Sequence, residues 1–197
     1  LVAYFGGVRL DGTNATIIGN RPGEFKADRN GIQRVWMDHG YWPVLTIWQY
    51  IQQTGDIEIL LRVAPFFRDG LGMRGTQRNA IQADRSCTGT VAEHMLLEQL
   101  TAFCEAGEHG LLRLRDADWN DALDMAPQRG ESGAFTSAYA GSMELLAKML
   151  ETLRQTGKCS SIDLPKRFEI LLGEEDNWAS IASRREKLNR FCAQCIQ

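Results

Sequence analysis

The chain has 197 residues, 22 Lys and Arg against 25 Asp and Glu for a formal net charge of −3, and 44% apolar residues. That balance excludes both an intrinsically disordered chain and a polycationic nucleic-acid-binding arm. No apolar run reaches the ~18 residues that a membrane helix needs, so neither nucleic acid nor membrane is an expected partner. The opening Leu1-Val2-Ala3-Tyr4-Phe5 has no initiator Met and no basic n-region, and the chain reads as a fragment cut within a domain. Five cysteines (87, 104, 159, 192 and 195) at irregular spacing point to reduced thiols and a cytoplasmic location.

Residues 1–40 read as a loop- and β-rich entry segment, with β-like pieces at 1–5 and 16–18 and clusters of Gly, Asn and Thr between them. From Trp42 the apolar period becomes helical. Pro43 suits a first turn, Val44, Leu45, Trp48 and Ile51 form one stripe, and Gly55 reads as a C-cap. Asp56 then caps a second expected helix carrying Ile57, Leu60, Leu61 and Ala64, which would make an αα-hairpin. Residues 69–88 are polar and irregular. Thr90-x-x-Glu93 is a capping box opening a deeply packed helix that stops near Gly107. A long helix is expected over 135–156, with Tyr139, Met143, Leu146, Leu150 and Leu153 as its stripe and Gly157 as its stop. A charged helix is expected over 176–195, where Cys192-x-x-Cys195 reads as one helix face rather than a redox or zinc motif. Long helices joined by loops of unequal length predict an all-α chain with a short β/loop N-terminal segment, about half of an α/α toroid. Its unpartnered apolar helix faces predict self-association of the isolated chain into a homo-oligomer.

Several familiar patterns fail on context. Gly70-Leu71-Gly72-Met73-Arg74-Gly75 spells G-x-G-x-x-G but lacks the strand before and the helix after that a dinucleotide site requires. Asp116-x-Asp118-x-Asn120 starts like a calcium loop, yet has Asp121 where Gly is needed and Pro127 where Glu is needed. Histidines 39, 94 and 109 stand singly, so no metal site is expected.

Two clusters carry chemistry. Residues 116–124 hold Asp116, Asp118, Asp121 and Asp124 around Trp119. Crowded carboxylates raise one another's proton affinity, which suits a general acid for a departing glycosidic oxygen. The indole offers a flat platform for a sugar ring. The same residues read equally well as a helix cap with solvated neighbours. The second cluster sets Arg34 and Asp38 four residues apart among Trp36, Tyr41 and Trp42, which suits the binding of sugar hydroxyls or an ordinary ion pair beside core aromatics.

Together, Asp118-Trp119-Asn120-Asp121 after Gly110-Leu111-Leu112-Arg113, and Arg34 to Asp38 followed by Trp42-Pro43 and Thr54-Gly55-Asp56, resemble the family 94 inverting phosphorylases. The likeness runs from about residue 11 to 157, and its spelling is similar to the members acting on β-1,2-linked glucans. Where cellobiose- and chitobiose-cleaving members carry Cys after the second Asp, this chain has Ala122. The resemblance implies a partial (α/α)6 barrel, an incomplete catalytic domain over residues 1–197, and reversible phosphorolysis of β-linked gluco-oligosaccharides. It implies Asp121 as general acid and Arg34, Asp38 and Trp119 around the transferred glucosyl group. Inorganic phosphate would be the co-substrate, with no metal or organic cofactor, and the phosphate-binding residues are expected beyond residue 197. An inverting hydrolase on the same toroid would need a second carboxylate as base, for which Glu93 and Glu144 are the candidates. A non-catalytic carbohydrate-binding fragment is the remaining alternative.

Overall fold

The computed structural model describes residues 1–15, 17–26, 37–67, 87–115, 126, 128–173 and 178–195. Its longest elements are helices α1 (Tyr41–Thr54), α2 (Val91–Cys104), α3 (Gly133–Gln155) and α5 (Ile181–Cys195), with a short α4 (Phe168–Leu172). Between them run two-stranded antiparallel ribbons: β1 (Ile17–Ile18) with β2 (Phe25–Lys26), β3 (Val63–Pro65) with β4 (Thr88–Thr90), and β5 (Leu112–Arg113) with β6 (Glu131–Ser132). Among the described residues the chain is thus predominantly helical, with β pairing between the helices and in the N-terminal segment.

Local chemistry explains most boundaries. Gly55 ends α1 at φ 71°, the left-handed backbone that glycine adopts without Cβ strain, and its N–H donates to the Ile51 carbonyl at 2.8 Å. Thr90 caps α2 reciprocally with Glu93: the Glu93 N–H donates to the Thr90 hydroxyl at 3.2 Å, and the Thr90 N–H donates to the Glu93 carboxylate. Ser132 caps α3 by accepting from the Phe135 N–H at 3.1 Å. The α3 stripe lies in or against the core as expected, with Ser142 and Met149 buried beside it.

Three expectations need correction. Residues 2–7 form a 3-10 helix rather than a strand. On α1 it is Ile47, not Leu45 or Trp48, that is buried with Val44 and Ile51. The αα-hairpin is absent: after Gly55 the chain makes only the 3-10 helix Ile57–Leu61 and then enters β3. Pro65 has no N–H to offer a helix, and Val63, Ala64 and Pro65 pair instead with Thr90, Gly89 and Thr88. Cys192 and Cys195 both lie in α5, and none of the five cysteines forms a disulfide.

The main core gathers Phe5, Val44, Ile47, Leu60, Phe66, Met95, Leu97, Leu146, Met149, Phe168, Leu171 and Phe191. Here α1 packs on α3, and α2 packs on α3, α4 and α5. A smaller cluster of Met37, Leu112, Leu114 and Tyr139 joins the turn before α1 to β5 and α3. No helix among the described residues is long and apolar enough to cross a membrane.

Candidate active site

Of the residues singled out by sequence, Asp38 is described, whereas Arg34, Trp119, Asp121 and Ala122 lie outside the described residues, as do the Gly70–Gly75 and Asp116–Asn120 stretches. The site is therefore built from Asp38 and from what holds it.

Asp38 sits in the turn at residues 37–40, immediately before α1. This turn is clamped from two helices. Tyr139 of α3 donates its hydroxyl proton to the Met37 carbonyl. Gln99 of α2 donates its amide to the Gly40 carbonyl at 2.8 Å, and Ser142 of α3 donates to the Gln99 side-chain oxygen at 2.6 Å. Gly40 is required for space rather than for φ: a Cβ there would come within 2.9 Å of both Glu98 Cβ and the Tyr139 hydroxyl. Held in this way, Asp38 accepts a hydrogen bond from Trp42 Nε1 on Oδ2 at 2.8 Å. Its Oδ1 is buried and has no hydrogen-bond partner among the described residues. A carboxylate with one oxygen anchored and the other unpartnered retains an acceptor for a hydroxyl group.

Beneath the turn lies a cavity of about 40 Å³, lined by Asn14, Met37, His39, Gly40, Glu98 and Tyr139 on one side and by Leu112, Arg113, Arg115 and Glu105 on the other. Glu98 is 2% exposed. Burial raises its carboxyl to about 8, against a smaller opposing effect of the Asn14 hydrogen bond. Burial lowers His39, with the Asp38 carboxylate opposing and Arg9 assisting that shift. Tyr4 is pushed up by burial first, and then by the charges of Glu98 and Asp38.

Arg115 forms an ion pair with Glu105, itself buried, and adopts φ 50°, a left-handed conformation uncommon for a residue with a side chain. This strained residue stands directly before the 116–125 stretch. Arg113 donates to the Gln128 carbonyl at 2.8 Å, which brings residues 113 and 128 together.

Sequence reasoning missed Glu98, Gln99, Tyr139 and the Asn14 contact. All four act across separations of 43 to 102 residues, and only the α2 stripe, too polar at 98 and 99 for a plain core helix, could have flagged two of them. The remaining histidines are structural in geometry. His94 stacks on Phe66 with centroids 3.9 Å apart and its Nδ1 2.8 Å from the Thr90 carbonyl, while exposed His109 meets Glu131 at 2.9 Å. Among the described residues no group of three or more His, Cys, Asp or Glu side chains could hold a metal ion.

Comparison with known proteins bears directly on this site. The profile described as the glycosyl hydrolase 94 superfamily, catalytic domain, matches residues 16–159, a span that includes Asp38 and residues 118–121. The chain is similar to a 3-O-beta-D-glucopyranosyl-beta-D-glucuronide phosphorylase of Paenibacillus borealis, 28% identical over 132 residues, which is 66% of this chain and 15% of that protein. It is also similar to a solabiose phosphorylase of the same organism, 30% identical over 90 residues, 46% of this chain and 10% of that protein. The chain thus spans only a small part of the length of these relatives. With the profile covering most of its length, the chain belongs to the glycosyl hydrolase 94 superfamily, as part of its catalytic domain.

Proposed function

We propose that this chain forms part of a glycoside phosphorylase of (α/α)6-barrel architecture. The reaction is reversible, inverting phosphorolysis of β-linked gluco-oligosaccharides to α-D-glucose 1-phosphate and a shortened sugar. The observation that carries the reading is the packing of Met37, next to Asp38, in one buried cluster with Leu112 and Leu114. That cluster sets the turn bearing Asp38 against the strand that leads into residues 118–121. The names of the two relatives support a phosphorylase over other chemistries.

In this reading Arg34, Asp38 and Trp119 hold the transferred glucosyl group. Inorganic phosphate attacks the anomeric carbon from the face opposite the glycosidic oxygen. Asp121 gives its proton to that oxygen as the bond to the anomeric carbon breaks. Because phosphate is already a nucleophile, the enzyme needs one carboxylic acid and no general base. The two carboxylates that a hydrolase reading would recruit are poorly disposed: Glu93 is engaged in the α2 capping box, and Glu144 is exposed on α3. No metal or organic cofactor enters the scheme, and reduced cysteines fit a cytoplasmic enzyme.

The test uses the full-length protein with a panel of β-glucobioses and inorganic phosphate, measuring release of glucose 1-phosphate. Asp121→Asn keeps the shape of the acid but removes its proton. Phosphorolysis should fall at least about 100-fold, the low end of what general acid catalysis contributes. β-Glucosyl fluoride, whose leaving group needs little protonation, should lose far less. Release of free glucose without phosphate dependence, or full activity of Asp121→Asn, would overturn the proposal.

A further inference from the structure

Glu98 has a feature that its structural role does not account for. Its Oε1 accepts the Asn14 side-chain amide at 2.5 Å, but Oε2 is buried without a hydrogen-bond partner among the described residues. A glutamate retained only to bind Asn14 would need one acceptor, and leaving the second oxygen dry is costly. The open oxygen belongs to a side chain that lines the cavity beneath the 37–40 turn. Asp38 repeats the pattern, with Oδ2 held by Trp42 and Oδ1 open.

The cavity limits what can reach Glu98. About 40 Å³ is room for two or three waters or one small substituent, and not for a pyranose ring. A protonated buried carboxyl both donates and accepts one hydrogen bond, so its natural partner is a neutral group that does the same. A cation would find too little negative charge at a protonated Glu98, and an anion would find Arg115 already paired with Glu105 and Arg113 donating to the Gln128 carbonyl. Of the groups on a hexopyranosyl unit, the exocyclic hydroxymethyl arm is the one that projects far enough from the ring to enter a recess while the ring stays outside.

We propose that Glu98 is a specificity-determining residue that receives the exocyclic hydroxymethyl group of a hexopyranosyl ligand in this cavity, selecting hexosyl over pentosyl or 6-deoxy sugars. Asn14 fixes the carboxyl through Oε1, which leaves Oε2 as the group to bond the incoming hydroxyl. The inference rests on the sugar-binding reading given above and adds to it a residue and a selectivity.

The experiment measures binding by isothermal titration calorimetry in the full-length protein. The probes are α-D-glucose 1-phosphate, its 6-deoxy analogue and α-D-xylose 1-phosphate. Wild type should bind the two analogues at least tenfold more weakly than glucose 1-phosphate, since a site built to hydrogen-bond a hydroxyl rejects ligands that lack it. Glu98→Ala should shrink that ratio below threefold. Glu98→Met, similar in volume but without a hydrogen-bonding group for the hydroxyl, serves as second variant should the alanine variant not fold, and should also reduce the ratio, whereas Glu98→Gln, which can still donate to a hydroxyl, should keep most of it. An unchanged ratio in folded Glu98→Ala or Glu98→Met, meaning that the cavity holds water alone, would overturn the inference. So would an equal loss for all three ligands, the mark of a merely structural residue. If wild type phosphorolyses β-glucobioses but its selectivity does not depend on Glu98, only this inference falls. If wild type neither binds these probes nor shows phosphorolysis, both fall.

Discussion

Burial acts in opposite directions on the two titratable groups that share the cavity under the 37–40 turn. Glu98, pushed up to about 8, holds a proton in the folded state that the unfolded chain has already released above the ordinary carboxylate range. Its contribution to stability therefore declines as pH rises toward 8. His39 and His94, pushed down by burial, stay neutral where the unfolded chain takes up protons, so their effect is to lower stability as pH falls below ~6.5. Above ~6.5 the histidine effects are spent and Glu98 is the dominant one of the three. Urea denaturation should thus show a loss of about 2 kcal/mol between pH 6.5 and 8, from ~1.4 kcal/mol per unit of pH. Glu98→Gln, which cannot titrate, should flatten that slope. A slope that persists in the variant would assign it to another group. At this scale the sequence singled out Asp38 because it stands four residues from Arg34 among aromatics. Glu98 was not singled out, because its partner Asn14 is 84 residues away.

Elements whose limits are set by neighbours in sequence were the readable ones. The α2 capping box and the Gly55 stop of α1 depend on hydrogen bonds within four residues, whereas the sequence set the start of α3 at residue 135 and missed its Ser132 cap. Thr90→Ala removes the acceptor for the Glu93 N–H and should cost about 1 kcal/mol in equilibrium denaturation, with Thr90→Ser close to wild type. If Thr90→Ala is neutral, β4 pairing rather than the cap is what starts the helix. The segment after Gly55 misled for the complementary reason. Its apolar spacing fits a helix, but Pro65 blocks one, and the strand it joins lies beyond residue 87. The N-terminal residues 2–7 likewise have β-like composition, yet they turn as a 3-10 helix that packs beside β3.

The whole molecule is organised by α2, buried over most of its circumference and bounded by α3, α4 and α5. On α5 Phe191 is fully buried and meets Phe168 of α4 edge-to-face at 6.5 Å, while Lys187 lies 3.6 Å from the Trp178 ring centroid. Phe191→Ala should destabilise the protein by about 3–5 kcal/mol, the range for removing a buried aromatic, whereas truncating exposed Glu186 should cost under about 0.5 kcal/mol. Calorimetric melting of both variants checks this, and a small effect at Phe191 would mean that α5 is not integral to the core. By itself the sequence determined the helical character of the chain, the capping box of α2, the Gly55 stop of α1 and the family to which it belongs, because these rest on periodicity, on contacts within a turn and on the two short motifs at 34–38 and 118–121. Only the tertiary structure decided that Gln99 and Tyr139 clamp the turn of Asp38, that Glu98 lines the cavity beneath it, and that residues 63–65 form a strand. Those features depend on which distant segments meet, and burial, steric space and hydrogen-bond partners exist only once they have met.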